Sequence, residues 1–273
     1  MSESEVILLF NLDDTNKSEF VSATNVWGSK VCLDREQVPE NSVVLSRYAS
    51  LPFYSFFEDV LELKNSTLTH PYSDYEYISE MKWYEDLKRS TPTTWFTLDD
   101  VPDNLDSGYI VKGLTYSRKY DWNRSMYAKD FSSLLGVVAR LKNDPLLGGS
   151  LVFREYVPLK SYGTQQSGLP LTEEWRCFFV GDTLISSGFY WSTYEGAIDY
   201  NELPPEGLSV VMEAASTVVG ATKSAHIFYT IDVAQTMEGK WIVIELNEGS
   251  QAGLSSIDAN HFYTKLKEAF YGK

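Results

Sequence analysis

Near its C-terminal end the chain reads Tyr229-Thr230-Ile231-Asp232-Val233-Ala234, then a turn at Met237-Glu238-Gly239, then Trp241-Ile242-Val243-Ile244-Glu245-Leu246-Asn247. Both runs are rich in β-branched and aromatic residues. They predict two strands, Ile227–Ala234 and Trp241–Leu246, paired as a hairpin. Strand alternation puts Glu245 and Asn247 on one face, with Ile244 and Leu246 on the other. If the hairpin is symmetric about its turn, Asp232 falls opposite Glu245, and three oxygen-bearing side chains converge. Two readings stay open from the residues alone. The acids form a solvated face, or they are two carboxylates in apolar surroundings that repel unless a cation or proton lies between them. Oxygen-only donors of this kind suit magnesium.

The rest of the chain frames that hairpin. Val6–Phe10 and Ser42–Leu45 read as strands, the second followed by Arg47 and Tyr48. Pro52–Leu63 reads as a helix, because Phe53, Phe56, Phe57 and Val60 recur at the spacing of one helix face. Asn65–Tyr72 reads as a loop and Tyr75–Lys88 as a second helical segment. Ser90-Thr91-Pro92 marks a boundary, which divides the chain into a small α/β lobe, 1–90, and a larger α+β region, 91–273. Within the larger region Tyr109–Lys112 is a short strand. Asp130 caps a helix carrying Phe131, Leu134, Leu135, Val138 and Leu141, which Asn143–Gly149 ends. Leu151–Val157, Glu174–Val180 and Thr183–Trp191 read as strands, the last two joined at Gly181-Asp182. Glu206–Ala221 and Asp258–Tyr271 read as helices. The pattern predicts an α+β fold with an antiparallel sheet in its C-terminal half.

Charge narrows the partners. The formal net charge of −15 repels nucleic-acid phosphates over the general surface, so no nucleic-acid partner is expected. Cys32 and Cys177 sit far apart in unrelated contexts and predict buried thiols rather than a zinc site. No apolar run approaches the length of a membrane span, and the N-terminal run Val6–Phe10 has acidic flanks unlike a signal peptide. A cytoplasmic location, with no membrane partner, is the expectation. Against this acidic background Arg118, Lys119 and Arg124 form the densest basic cluster. It is either a solvated loop or a focused positive patch of the kind a triphosphate needs. There is no GxxxxGK and no GxGxxG, which disfavours P-loop and Rossmann nucleotide binding.

The string from Tyr229 through Gly-Lys-Trp-Ile-Val-Ile-Glu-Leu-Asn-Glu-Gly to Ala252-Gly253-Leu254 resembles the terminal motif of ATP-grasp proteins. In that family an Asp on one strand and Glu-x-Asn on its neighbour hold the magnesium of Mg-ATP, which implies metal ligation by Asp232, Glu245 and Asn247. The resemblance extends over about Thr91 to Lys273. Tyr109–Lys112 is similar to the family's phosphate-contacting strand, with Lys112 and Lys119 as implied nucleotide contacts. Phe153-Arg154-Glu155-Tyr156-Val157-Pro158 is similar to the hinge strand, where the backbone reads the adenine edge. That implies contacts from Arg154, Glu155, Tyr156 and Val157. Glu173-Glu174-Trp175-Arg176-Cys177-Phe178 resembles the Glu-x-Arg-x-Phe strand of the branch whose sites use an arginine and lysines, which adds Glu174 and Arg176. That branch includes bacterial and phage proteins of unassigned role and eukaryotic assembly chaperones of an initiation factor. The chain departs from many ATP-grasp enzymes in lacking a glycine-rich phosphate loop; Gly113 alone is present there.

The resemblance implies two subdomains clasping a nucleotide, preceded by the N-terminal lobe, with ATP and Mg2+ as cofactors. It implies a carboxylate–amine ligase working through an acyl phosphate, with Arg176 and Lys112 as catalytic cations. The substrates are then small-molecule or peptide carboxylates and amines, or a protein. A second implied role is an ATP-binding assembly factor that makes no product.

Overall fold

Short apolar strands alternate with helices through the first lobe, and this alternation builds a parallel sheet. The computed structural model describes residues 5–49, 54–114, 116–142, 144, 150–192 and 202–272. In the lobe, β1 (Val6–Phe10), α1 (Lys17–Trp27), β2 (Val31–Cys32), β3 (Val43–Arg47), α2 (Tyr54–Glu62), β4 (Thr67–Leu68), α3 (Tyr72–Ser79) and α4 (Tyr84–Leu87) follow in order. The strands form a parallel sheet in the order β2-β1-β3-β4. Three expectations change here. The segment expected as one helix, Tyr75–Lys88, is two, broken where Met81 takes a φ of 56°, a left-handed conformation no helix continues through. The loop expected at Asn65–Tyr72 contains β4, which pairs with β3. The α1 helix was not anticipated, because its sequence offers only a weak apolar stripe and one acid, Glu19, in its first turn. Of the helix expected at Pro52–Leu63, Pro52 and Phe53 lie outside the described residues, as does most of Asn143–Gly149.

The second unit is an antiparallel sheet built from β5 (Thr94–Trp95), β6 (Tyr109–Gly113), α5 (Trp122–Ser125), β7 (Tyr127–Ala128), α6 (Phe131–Leu141) and β8 (Leu151–Glu155). Its strand order is β5-β8-β6-β7. Asp130 caps α6 in a reciprocal box with Ser133, and Leu134, Val137, Val138 and Leu141 pack onto Tyr109, Val111 and Phe153. A two-stranded ribbon, β9 (Ser161–Thr164) with β10 (Pro170–Thr172), leads into the third unit.

That unit contains β11 (Glu174–Val180), β12 (Thr183–Phe189), α7 (Pro205–Ala221), β13 (Phe228–Gln235), β14 (Trp241–Glu248) and α8 (Ala259–Tyr271). Its sheet is antiparallel in the order β12-β11-β13-β14. One face, with Trp175, Cys177, Phe179, Tyr229, Ile231 and Val233, is sealed by α7 and by Trp83 and Leu87 from the lobe. At one end of the other face, Phe178 and Phe228 pack with Phe262 and Leu266 of α8 and with Leu8 and Phe10 of β1. The lobe thus shares a core with the C-terminal sheet. The opposite end of the same face stays open, and the charged residues lie there.

One polar clamp fastens the lobe beside that opening. Arg47, fully buried at the end of β3, pairs with Glu19 of α1 at 2.8 Å. Its Nη1 donates to the carbonyls of Gly249 (2.7 Å), Ser250 (3.2 Å) and Ala252 (2.8 Å), in the loop after β14.

Candidate functional site

The open end of the sheet is shaped by a single irregularity. Gln235 pairs with Trp241, Ala234 with Ile242 and Val233 with Val243. A regular ladder would carry Asp232 to Ile244. A bulge between Asp232 and Val233 adds a residue on β14 and moves Asp232 on to Glu245. The two carboxylates therefore stand opposite one another because of the bulge, not because the hairpin is symmetric. The bulge also corrects the expected alternation: Ile244 lines the same cleft as Glu245 instead of lying on the far face.

Arg176 of β11 pairs with Asp232 across the sheet. The pair is a two-pronged fork, Nε to Oδ1 at 2.9 Å and Nη2 to Oδ2 at 2.7 Å, with both side chains buried. Nη1 of Arg176 donates to the Gly253 carbonyl at 3.2 Å, and Nδ2 of Asn247 donates to Asp232 Oδ2 at 3.3 Å. Burial alone would lower the arginine's pKa, but Asp232 outweighs it and holds the guanidinium firmly charged. Lys112, on β6 of the facing sheet, makes an ion pair with Glu245. Burial pushes this lysine down to about 7, Arg154 and Lys119 add to the shift, and Asp232 opposes it.

Lys119 reaches the cleft from the segment after β6, touching the Tyr190 hydroxyl and lying 4.6 Å from that ring's centre. Burial would lower Lys119, but Tyr190 and Glu174 outweigh it and keep the ammonium charged. Glu174 is pushed up to about 7 by burial and by Asp232, with Lys119 and Arg176 opposing. Its Oε2 accepts from Thr172 Oγ1 at 3.1 Å. Arg154 is also buried, and its donors are taken up by the protein: Thr94 Oγ1 (3.1 Å), the Ile244 carbonyl (2.6 Å) and Thr91 Oγ1 (2.7 Å). It acts as a strut tying β8 of one sheet to the bulge of the other, and burial lowers it to about 10.

Between the sheets lies a cleft of about 890 Å³, counting its open mouth. Its apolar part is walled by Ile110, Met126, Val157, Leu159, Leu169 and Ile244, and its polar part carries Lys112, Lys119, Glu174, Tyr190 and Glu245. Along the hinge, the Glu155 N–H donates to Thr93 O (2.8 Å) and the Tyr156 N–H to Gly108 O (3.0 Å). The Val157 N–H makes no hydrogen bond among the described residues.

Of the residues expected from sequence, Lys112, Lys119, Arg154, Glu155, Tyr156, Val157, Glu174 and Glu245 line this cleft, and Arg176, Asp232 and Asn247 are joined by hydrogen bonds beside it. Arg118 is drawn instead to Asp144 and Tyr120, and Arg124 is exposed. Sequence reasoning passed over Tyr190, Trp191, Trp122 and Met126, which read as ordinary aromatic or apolar residues until the fold brings them to the cleft.

Asp232, Glu245 and the amide oxygen of Asn247 are the hard oxygen donors that a divalent cation of the magnesium type takes. Among the described residues no group of three or more His, Cys, Asp or Glu is placed to hold a metal.

Two antiparallel sheets closing on a cleft that is apolar at one end and charged at the other define the ATP-grasp fold. A family profile settles the assignment. It matches residues 95–266, and the chain belongs to the ATP-grasp domain family, in family 3 of the R-2-K clade. Solved structures agree in fold. D-cycloserine synthetase DcsG aligns with a TM-score of 0.61 at 15% identity, over 97% of this chain and 99% of that one. D-alanine–D-alanine ligase from Bacillus anthracis, complexed with ATP, gives 0.61 at 15% identity over 98% and 96%. The ATP-grasp ligase PsnB, complexed with a minimal precursor, Mg and ADP, gives 0.56 at 12% over 97% and 98%. No curated protein sequence matches the chain. Among the described residues no helix is long and apolar enough to cross a membrane.

Proposed function

We propose that the chain is an ATP- and magnesium-dependent ligase that joins a carboxylate to an amine through an acyl phosphate. The observation that carries this reading is the cleft: an apolar slot ending in Lys112, Lys119 and Arg176, with Asp232 and Glu245 facing each other across β13 and β14. Membership of the ATP-grasp family supports the nucleotide. The ligases of like fold support the reaction class, with small-molecule or peptide substrates.

In this reading the purine lies between Ile110, Met126, Val157 and Ile244, and its edge meets the Val157 N–H. Lys112 and Lys119 hold the phosphates, and Arg176 stabilises charge developing on the transferred phosphoryl group. Asp232, Glu245 and Asn247 would hold magnesium, which would offset phosphate charge. A substrate carboxylate oxygen attacks the terminal phosphorus and ADP leaves. The amine nitrogen then attacks the acyl carbon, the C–N bond forms, phosphate departs and the nitrogen loses a proton. Residues 1–90 form a lobe that closes the substrate side. The Arg47 clamp supports this, because it grips the same loop whose Gly253 carbonyl receives Arg176.

The test is a screen of amino acids and short peptides for ADP release with ATP and Mg2+, comparing the wild type with Arg176→Met. ADP formed only with a matched acid and amine, and lost in the variant, is the expected result. Tight ATP binding with no ADP in any mixture would transfer the chain to the assembly-factor class.

A further inference from the structure

Tyr190 lines the cleft, and neither the family resemblance nor the proposed function gives it a role. It follows β12 directly, and its N–H donates to the Glu174 carbonyl at 2.9 Å, which keeps it in the sheet beside Arg176. Two cations meet its ring. The Arg176 guanidinium carbon lies 4.7 Å from the ring centre, and the Lys119 ammonium lies 4.6 Å from it while also contacting the hydroxyl. Trp191 backs the arrangement, its ring edge-on to Tyr190 at 4.7 Å and 5.5 Å from the same ammonium. Trp191 is itself anchored, with Nε1 donating to Thr172 Oγ1 at 2.9 Å.

The two cations come from different parts of the chain. Arg176 is fixed in the C-terminal sheet by its fork to Asp232. Lys119 is on the segment that links β6 to α5, with no strand to hold it. Two like charges in a partly enclosed cleft repel, and that repulsion favours swinging the lysine outward. An aromatic face attracts both, and the phenol oxygen accepts from the ammonium.

We propose that Tyr190 is a positioning residue: it holds Lys119 and Arg176 as a spaced pair that receives the terminal phosphate of the nucleotide. The inference rests on the ATP-dependent reading above. A pair set for the terminal phosphate discriminates ATP from ADP, which general support of the fold would not do.

The experiment is calorimetric titration of the full chain with Mg-ATP and, separately, Mg-ADP. Tyr190→Leu is expected to weaken Mg-ATP about tenfold and Mg-ADP less than about twofold. Tyr190→Phe keeps the ring and is expected within about threefold of the wild type for both. Lys119→Met is expected to match Tyr190→Leu, and the double variant to be no weaker than either single one, the signature of two residues acting as a unit. Equal losses for ATP and ADP, or fully additive losses in the double variant, would overturn the proposal. If Tyr190→Leu does not fold, a loss of about tenfold or more in Tyr190→Phe overturns the role of the ring, and a loss within threefold with Lys119→Met still selective for ATP supports it. A wild type that binds neither nucleotide refutes the ligase reading and takes this inference with it. A wild type that binds both, with Tyr190→Leu unchanged, refutes this inference alone.

Discussion

Asp232→Asn separates the structural and ligand-binding roles of the cleft carboxylates. In the wild type, Asp232 is 1% exposed and Arg176 is 8% exposed, joined by hydrogen bonds of 2.9 and 2.7 Å. Removing one partner of a buried pair usually costs about 3–5 kcal/mol, because the other charge is stranded. Here Arg176 retains the Gly253 carbonyl at 3.2 Å and the Tyr190 ring at 4.7 Å, and the new amide oxygen can still accept one bond. The expected loss is therefore at the low end, about 3 kcal/mol, or roughly 1 M in a urea midpoint for a chain of this size. Glu245→Gln is the control. The Glu245 side chain is 22% exposed, so water stabilises what is left behind and the loss is about 1 kcal/mol. Both variants are expected to lose the magnesium dependence of ATP binding, measured by titration with and without Mg2+. The reasoning fails if Asp232→Asn is within about 0.5 kcal/mol of wild type, or if Glu245→Gln is the more destabilised. The metal assignment fails if both variants keep magnesium-dependent ATP binding.

Other consequences can be checked as directly. His70 is buried and pushed down to about 4 from an ordinary 6.5, so the unfolded chain binds the proton first. Stability present above pH 6.5 is then lost as pH falls towards 4, by about 3 kcal/mol, and His70→Gln should flatten that decline in acid denaturation. Glu174 works with the opposite sign. Its pKa is raised from 4.5 to about 7, so stability present at pH 4.5 is lost as pH rises to 7, and Glu174→Gln should be more stable than wild type at pH 8 but not at pH 4.5. Arg47→Met takes the charged partner from Glu19, which keeps the Tyr48 and Tyr263 hydroxyls, and one donor from each of the Gly249, Ser250 and Ala252 carbonyls; it should cost about 3 kcal/mol in chemical denaturation, with no rescue by lysine, which lacks the fork. Magnesium and ATP should each raise the other's affinity by tenfold or more in calorimetry, on the order of 1–3 kcal/mol of coupling, and independent binding would refute the exchange argued below.

How much of this was legible before the fold was known depends on the range of the forces involved. The α6 helix announces itself through Asp130 and its apolar spacing, and the hairpin through β-branched residues about a Gly turn, because those signals are local. The bulge at Ile244 is not local. It is stabilised by Arg154, ninety residues away, which donates to the Ile244 carbonyl, and no pattern within β14 encodes that partner. Arg47 looked like the polar end of a strand, yet the carbonyls it donates to lie some two hundred residues on. Tyr190 was hidden for the same reason: one aromatic among 18 tyrosines gains a role only when a loop lysine and a strand arginine are folded onto it.

Internal pairing leaves the charges of the cleft close to balanced, and that has a consequence for binding. Lys112 is satisfied by Glu245 and Arg176 by Asp232, so the cations expected to meet phosphate are already engaged, as are the carboxylates expected to meet magnesium. Nucleotide alone would draw the cations away and leave the buried Asp232 and the half-buried Glu245 facing each other. Magnesium alone would take the carboxylates and leave two buried cations unpaired. Either half-exchange incurs the penalty of a stranded buried charge. On the proposed function, only both together would replace every lost partner, phosphate oxygens for Arg176 and Lys112 and a divalent cation for Asp232 and Glu245. The same self-neutralisation explains how an acidic chain keeps a dense cluster of charges between two sheets without unfolding there. The cluster is stable as ion pairs, and the ligand that fits it best carries both signs of charge at once.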